Sequence, residues 1–369
     1  MNLLHFSDTH LGYSEYQKID SGTGINQREL DVYRAWEQVI GDILSSRPDV
    51  VLHTGDLFHT PRPSNRAIRV ALEGIQKISD AGIPMVIIAG NHETPRIKST
   101  GSIFESIALF PGVYAAYQGR YERFRIDHSD FHCIPHCSLT EELGAAFEAV
   151  TVQSDARYNI FLSHGAWSGS SEYSMGEFNE QRIPNVEEAL KIPFDYIALG
   201  HYHKHLDLTA KASYCGSTER TSLNEAGNTC GYLRVNLSTG KRMYMGIKAR
   251  PMIKLPDLDC RGLSGSDIYA RLDDLASAKL DDAIVSLTLL NIEMHTFIKL
   301  EPKEIDRRFA NTFHFQKSLQ RQVNDKDMTS AESAIGSLTM EFGRYLESVK
   351  STELDKERLL ELGNRYLNP

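Results

Sequence analysis

The chain has 369 residues, with 40 Lys and Arg against 49 Asp and Glu, and a formal net charge of −9. This length allows about two domains with a well-buried core. A hydrophobic content of 41% with 24% charged residues argues against disorder. No apolar run approaches the ~20 residues of a membrane span, and the first residues lack a basic leader. We therefore expect neither a membrane anchor nor a signal peptide.

The predicted elements of the first part of the chain alternate between strand and helix. They are a strand at 2–7, a helix at 27–46, a strand at 49–53, a helix around 64–81, and strands at 84–88, 113–117, 130–135, 158–163, 194–199, 212–215, 231–237 and 242–247. Pro48 ends the first helix, and Ser64 is a plausible N-cap of the second. This rhythm predicts a layered α/β fold whose chemistry lies where strands end in loops.

The composition changes around Arg250-Pro251. A predicted helix at 265–278 and a strand at 284–290 indicate a second, smaller α/β domain. Near the end of the chain, apolar residues at three- and four-residue steps predict an amphipathic helix; they are Ile335, Leu338, Phe342, Tyr345, Leu346 and Val349. We therefore divide the chain into residues 1–248, 249–328 and 329–369.

The five cysteines are scattered, and none forms a CxxC pair. This usage fits a reducing cytoplasm better than a disulfide framework or a zinc knuckle, so we predict a cytoplasmic protein. If the net charge of −9 were spread evenly, it would disfavour nucleic acid as a partner. Residues 51–100 and 201–250 are net positive, however, and they hold most of the histidine motifs.

Five short motifs each end a predicted strand with polar residues able to bind a metal. They are Asp8-Thr9-His10, Gly55-Asp56, Gly90-Asn91-His92-Glu93, Ser163-His164-Gly165 and Gly200-His201-Tyr202-His203. Residues two apart in an extended segment point the same way, and the glycines allow tight turns. A single histidine at a strand end is more often a core or surface residue. Five such motifs on successive strand ends predict carboxylate, imidazole and amide ligands for two divalent metals.

In this order the motifs resemble those of the calcineurin-like metallophosphoesterases, over roughly residues 1–245. Within that superfamily the chain is most similar to the SbcD-type DNA double-strand-break repair exonucleases. The stretches that carry this resemblance are LLHFSDTHLGY (3–13), GDLFHTPRPSNRAI (55–68), IPMVIIAGNHETPR (83–96) and ALGHYHK (198–204). The resemblance implies a four-layer α/β/β/α sandwich, a smaller α/β capping domain at 249–328 that lays DNA across the metals, and a helical C-terminal tail.

The resemblance also implies a dinuclear metal centre. Asp8, His10 and His203 would hold one ion, and Asn91, His164 and His201 the other. Asp56 would bridge both ions, because one carboxylate can give an oxygen to each. Oxygen and imidazole ligands without thiolate favour Mn²⁺, leave Fe²⁺ and Zn²⁺ open, and suit Mg²⁺ less well.

Two further histidines receive roles from the resemblance. His92 would hold the scissile phosphate and protonate the leaving 3′ oxygen; a structural role is the alternative. His59 would help to orient DNA ends; the alternative is a solvated loop histidine. Arg62, Arg66 and Arg69 either contact phosphates or form an exposed helix face. His5, His53, His132 and His136 lack a comparable context, so we assign them structural roles.

The leading functional hypothesis is a Mn²⁺-dependent DNA nuclease. It would work 3′ to 5′ on duplex ends and also cut single strands or hairpins. The resemblance implies a homodimer and a partner, an SbcC-type coiled-coil ATPase docked by the helical tail. One alternative is a phosphodiesterase or phosphatase acting on small nucleotides or phosphoproteins, because two metals serve phosphoester chemistry generally. Another is a non-catalytic scaffold that bridges a partner ATPase and DNA.

Overall fold

The computed structural model describes residues 1–95, 101–152, 155–167, 182–183, 191–322, 342–343, 345–346 and 355–367. The chain divides into two compact units. The first comprises Met1–Lys254, Asp281–Val285 and Asn311–His314, and the second comprises Leu255–Leu280, Ser286–Ala310 and Phe315–Pro369. Among the described residues, no helix combines the length and apolar character that crossing a membrane requires.

The strands of the described residues follow the predicted order closely in the first unit. In chain order they are β1 (Asn2–Phe6), β2 (Val50–His53), β3 (Met85–Ile88), β4 (Val113–Ala116), β5 (Glu122–Ile126), β6 (Ser129–Ile134), β7 (Asn159–His164), β8 (Ala166–Trp167), β9 (Arg182–Ile183), β10 (Tyr196–Gly200), β11 (Leu206–Asp207), β12 (Ala212–Tyr214), β13 (Gly231–Asn236), β14 (Lys241–Gly246), β15 (Met252–Lys254), β16 (Leu258–Asp259), β17 (Ile284–Ile292) and β18 (His314–Arg321).

The helices of the described residues are α1 (Gln27–Ser46), α2 (Asn65–Asp80), α3 (Phe104–Ile107), α4 (Thr140–Glu148), α5 (Gly265–Ala276), α6 (Met294–Phe297), α7 (Pro302–Arg308) and α8 (Lys356–Leu367), with a 3₁₀ turn at Leu223–Glu225. The first two end where the sequence predicts. Arg47, in the left-handed region, closes α1 ahead of Pro48. The Ser64 hydroxyl accepts from the Ala67 amide and caps α2, as predicted.

Two six-stranded sheets form the first unit. Their strand orders are β14-β13-β1-β2-β3-β4 and β11-β12-β10-β7-β6-β5. Within the first sheet β1, β2, β3 and β4 run parallel, and within the second β6, β7, β10 and β12 run parallel. The carboxyl ends of parallel neighbours lie at one edge of a sheet, which is where the polar motifs emerge.

Three hydrophobic cores separate four layers in this unit. The first packs α1 and α2 against one face of the first sheet. The second lies between the two sheets, and the third covers the outer face of the second sheet beneath α4. In strand β1, successive side chains point to opposite faces of the sheet. Leu3 therefore belongs to the core between the sheets, and Leu4 and Phe6 belong to the core on the helix side. The predicted α/β/β/α sandwich is confirmed.

The second unit is a smaller α/β structure. Strand β16 pairs parallel with β17 through Leu258 and Leu289, and β18 pairs with β17. Helix α5 begins at a reciprocal capping box between Ser264 and Asp267. Its buried face carries Ile268 and Leu272. The sequence predicted only the strand at 284–290 and the helix at 265–278 here.

Several elements of the first unit were not predicted, and the longest of them are α4 and β5. Leu139 precedes α4 and makes no side-chain cap, and the helix buries only Leu143 and Ala146. Strand β5 lies at the edge of its sheet and carries exposed Arg123 and Arg125. Both segments therefore lack the capping and apolar pattern on which prediction rests. Half of the predicted C-terminal stripe, namely Ile335, Leu338 and Val349, lies outside the described residues.

All five cysteines are buried as free thiols. Burial raises the pKa of Cys137 and Cys230 to about 12 and that of Cys260 to about 11. Burial also places the pKa of Cys133 and Cys215 well above the usual value. The expectation that no disulfide framework exists is confirmed.

The contact between α1 and α2 gives a prediction for stability. A Cβ added at Gly74 would lie 2.6 Å from Cε2 of the Trp36 indole, which is 1% exposed and cannot move outward. We expect Gly74→Ala to lower the free energy of unfolding by about 1–3 kcal/mol, because overpacking outweighs the better helix propensity. Gly41→Ala in α1 is the control, since a Cβ there meets nothing within 4 Å. It should be neutral or stabilising by up to about 1 kcal/mol, and urea unfolding of both variants distinguishes the two cases.

Candidate metal centre

The carboxyl ends of five strands bring the predicted motifs together in the first unit. Strands β1, β2 and β3 are followed by the Asp8, Asp56 and Asn91 turns, β7 ends at His164, and β10 is followed by His201 and His203. Six of the seven predicted metal ligands, all but Asn91, are at most 4% exposed. Buried polar side chains of this density need partners or ions.

One group of donors consists of Asp8, His10 and His203, whose ligand atoms all lie within 4.8 Å of one another. The Nε2 atoms of His10 and His203 are 3.0 Å apart. Nε2 of His203 also lies 3.9 Å from Oδ1 of Asp8. The three donor atoms thus lie close enough together to hold one cation.

A second group lies beside the first and shares a carboxylate with it. The ligand atoms of Asp8, Asp56 and His164 also fall within 4.8 Å of one another. Oδ2 of Asp56 is 3.3 Å from Nε2 of His164 and 3.9 Å from Nε2 of His10. Asn91 Oδ1 lies 2.9 Å from His164 Nε2, and the His201 ring stands 5.4 Å from the His164 ring. Asp8 is therefore common to both groups, and Asp56 of the second group also lies near His10 of the first.

Backbone strain is concentrated at these residues. Asp8, His10 and Asp56 have φ of 51°, 50° and 54°, and His201 has φ of 104°. Such conformations cost of order 1–3 kcal/mol each for residues with a side chain. They persist because neighbouring hydrogen bonds fix the turns; the amide of His201, for example, donates to both carboxylate oxygens of Asp8 at 3.2 Å.

Two glycines make the close approach of the turns possible. A Cβ at Gly55, where φ is 99°, would lie 2.8 Å from Cγ of the His164 ring. A Cβ at Gly90 would lie 2.8 Å from Cγ of Asp56. Any side chain at either position would displace a predicted ligand, so the glycines are part of the centre.

Electrostatics link the two groups. Burial raises the pKa of Asp8 to about 6, and the charge of Asp56 adds to the rise. Burial would lower the pKa of His164, but the charge and hydrogen bond of Asp56 raise it to about 9. Burial would also raise the pKa of Asp56, yet His164, His92 and His10 hold it well below its usual value. A cation bound by His164 would therefore have to displace the proton that this raised pKa favours.

The Glu93 carboxylate anchors the two turns that carry Asp56 and Asn91. It is 1% exposed and accepts from the amides of Asp56 at 3.1 Å, Phe58 at 3.2 Å and Gly90 at 3.0 Å. It also accepts from the amide of Leu57. Four backbone donors thus converge on one side chain that is itself no member of the donor groups.

His92 and His59 lie at the more exposed side of the cluster. The amide of His92 donates to Oδ1 of Asp56 at 3.0 Å, and its Nδ1 lies 2.8 Å from the carbonyl oxygen of His59. The His59 and His92 rings stack at 5.3 Å. Tyr13 packs edge-on against His59 at 5.1 Å. Both histidines are half-buried, in contrast to the buried ligand set.

The four histidines assigned structural roles stay outside the donor groups found among the described residues. His5 bonds Tyr196 Oη at 2.8 Å and Thr54 Oγ1 at 3.0 Å within the core. His132 bonds Tyr121 and Asn159. On α2, Arg66 pairs with Glu29 at 3.2 Å and Arg69 with Glu73 at 2.8 Å, which fits an exposed helix face.

Sequence reasoning missed one acidic residue in contact with the ligand set. Oε1 of Glu225, in the 3₁₀ turn, lies 3.0 Å from Nδ1 of His203. Glu225 is 5% exposed. It follows no strand and belongs to none of the five motifs, so the pattern of strand ends gave no signal for it.

An α/β/β/α sandwich whose two sheets converge on carboxylate, imidazole and amide donors defines the metallophosphoesterase class. A family profile described as calcineurin-like phosphoesterase matches residues 1–205, more than half of the chain. The chain belongs to the calcineurin-like phosphoesterase family.

Several known proteins are similar to this chain. A Methanococcus maripaludis protein named DNA double-strand break repair protein Mre11 is 28% identical over 274 residues, which are 71% of this chain and 68% of that protein. A Thermoplasma acidophilum protein of the same name is 27% identical, over 95% of this chain and 91% of its own. A solved structure of the Thermus thermophilus protein TT1561 has a TM-score of 0.41 at 14% identity, covering 67% of this chain and 99% of that one.

Removing the Glu93 carboxylate should destabilise the first unit. Glu93→Ala leaves four buried amides without an acceptor, and one unsatisfied buried donor costs about 1–3 kcal/mol. We expect a loss of at least about 3 kcal/mol in the free energy of unfolding, measured with urea in EDTA. Glu73→Ala, which breaks only an exposed ion pair with Arg69, should change stability by less than about 1 kcal/mol. Equal stability of the two variants would contradict the anchoring role.

Proposed function

We propose that the chain is a metal-dependent DNA nuclease of double-strand-break repair. It would cut duplex ends in the 3′ to 5′ direction and also cut single strands and hairpins. The observation that carries this proposal is the similarity to the Thermoplasma acidophilum repair protein across 95% of this chain and 91% of that one. The similarity therefore reaches far beyond residues 1–205, which the phosphoesterase profile matches.

The donor set supports a centre of two divalent ions, most suitably Mn²⁺. Asp8, His10 and His203 would hold one ion, Asn91, His164 and His201 the other, and Asp56 both. The central position of the Asp56 carboxylate, 3.3 Å from His164 and 3.9 Å from His10, fits this division. Imidazole and carboxylate donors without thiolate suit Mn²⁺. When bound, two such ions polarise phosphoester oxygens and acidify water.

His92 is the proposed general acid. Its Nδ1 donates to the carbonyl oxygen of His59, so the proton for the leaving 3′ oxygen has to come from Nε2. Its amide donates to Asp56, and its ring lies 4.7 Å from that of His10, with which it and His59 form a third group of possible metal donors. The partial exposure of His92 leaves room for a phosphodiester to approach.

His59 is proposed to orient the DNA end and the His92 ring. Its carbonyl accepts from His92, and its own ring stacks on the His92 ring at 5.3 Å. Nδ1 of His59 also lies 3.4 Å from Nδ1 of His10. One residue thus contacts both the proposed acid and a proposed ligand.

Three further proposals rest on the resemblance to the SbcD-type exonucleases. Residues 249–328 would cap bound DNA, and residues 329–369 would dock an SbcC-type coiled-coil ATPase. The chain would also act as a homodimer. Helix α8 supports the tail proposal in part, because Leu360 and Leu362 are 36% and 45% exposed apolar residues on it.

Substrate preference tests the proposed function. With Mn²⁺ we expect the full chain to cleave end-labelled blunt duplex and hairpin DNA, and to release label progressively from 3′ ends. Bis-p-nitrophenyl phosphate serves as the small-substrate comparison under the same conditions. Efficient hydrolysis of that ester without cleavage of either DNA would favour the phosphodiesterase alternative, and no Mn²⁺ binding at all would favour a scaffold.

Replacement of the proposed acid should separate turnover from binding. We expect His92→Asn to cleave labelled duplex about 10²–10⁴-fold more slowly, because protonation of the leaving group is lost. Mn²⁺ binding by calorimetry should stay unchanged. His128→Asn is the matched control, since His128 is exposed at the β5–β6 turn with φ of 60°, which Asn tolerates. Wild-type cleavage by His92→Asn would show that the assignment is wrong.

A further inference from the structure

The imidazole ring of His203 lies between the buried carboxylate of Glu225 and the proposed metal centre. Oε1 of Glu225 lies 3.0 Å from Nδ1 of His203. On the opposite side of the same ring, Nε2 lies 3.0 Å from Nε2 of His10 and 3.9 Å from Oδ1 of Asp8. Glu225 thus stands directly behind His203 and outside the donor groups of the described residues.

Several hydrogen bonds hold this carboxylate in place without any ion. Glu225 accepts from the amide of Thr221 at 3.2 Å and from its hydroxyl at 3.0 Å. The carbonyl of Thr221 in turn accepts from the Tyr13 hydroxyl at 2.6 Å. The Ser222 hydroxyl caps the 3₁₀ turn by accepting from the Asn224 amide. The position of Glu225 is therefore set by its own turn.

An ionised carboxylate can only accept a hydrogen bond, so it fixes the proton of His203 on Nδ1. Nε2 then presents a lone pair toward His10 and Asp8. Without Glu225, the proton could move to Nε2 and be donated to Nε2 of His10 across the 3.0 Å separation. That hydrogen bond would place a proton where a cation would bind.

We propose that Glu225 is a positioning residue that holds His203 in the metal-binding tautomer and so sets the affinity of the ion shared by Asp8, His10 and His203. This inference rests on the metal centre of the proposed function. Partners that orient a ligating histidine in this way typically contribute about 10–100-fold in metal affinity.

The test measures binding of Mn²⁺ alone to the full chain by calorimetry. We expect Glu225→Ala to weaken one of two Mn²⁺ sites about 10–100-fold and to leave the other within a few-fold. Glu225→Gln keeps an acceptor oxygen but loses the charge, so its affinity should lie between those of wild type and Glu225→Ala. Asn224→Ala changes an exposed side chain of the same turn and should bind Mn²⁺ as wild type does.

A double-mutant cycle distinguishes positioning from general support of the fold. If Glu225 acts through His203, Glu225→Ala should cause no additional loss of Mn²⁺ affinity in a His203→Ala background. The same loss in both backgrounds, an equal loss in Asn224→Ala, or wild-type affinity of Glu225→Ala would each overturn the inference. Urea unfolding in EDTA verifies that the variants are folded. If Glu225→Ala does not fold, the Mn²⁺ affinity of the isosteric Glu225→Gln tests the inference in its place.

The same experiment separates the proposed metal centre from the proposed role of Glu225. A wild-type chain that binds no Mn²⁺ would overturn the proposed metal centre, and the role of Glu225 with it. A wild-type chain with two Mn²⁺ sites, both unchanged in Glu225→Ala, would overturn only the role of Glu225.

Discussion

Two buried carboxylates, those of Asp8 and Asp56, impose the constraint on which the first unit depends. They are 0% and 1% exposed, and an ionised carboxylate removed from water costs several kcal/mol unless it is paired. Backbone amides supply part of the compensation: His201 donates to Asp8, and His92 donates to Asp56. The strained turns, the glycines and the anchoring by Glu93 are the means of bringing those amides within reach.

The same constraint explains why imidazoles surround the carboxylates. Oδ2 of Asp56 lies within 3.9 Å of both His164 and His10. In the absence of ions, Asp56 keeps a proton on His164, whose pKa rises to about 9. Two divalent ions would bring four positive charges in place of that one proton, against two negative charges from Asp8 and Asp56. The centre would then be locally cationic although the chain carries a net charge of −9, which is the polarity that a phosphodiester needs.

The sequence predicted a layered α/β fold and the members of the cluster because their signals are local, whereas the four-layer sandwich was implied by the resemblance to the family. Each predicted ligand follows an apolar strand within a few residues, and parallel pairing then brings the strand ends together. Glu225 gave no such signal, because it contacts His203 only in the folded chain, where the two residues are 22 positions apart in the sequence. Helix α4 was missed for another reason: Leu139 offers no capping side chain, and only Leu143 and Ala146 are buried. In the second unit, the two-residue strand β16 is too short to show a period.

The burial of every cysteine has a practical consequence for studies of motion in this protein. A thiol reacts as its thiolate, and the raised pKa values of all five leave almost none in that form near neutral pH. A maleimide dye would therefore react with a cysteine introduced on the surface much faster than with the native, buried thiols. Pairs of such dyes could report distances within the folded chain without first removing any natural cysteine from its core.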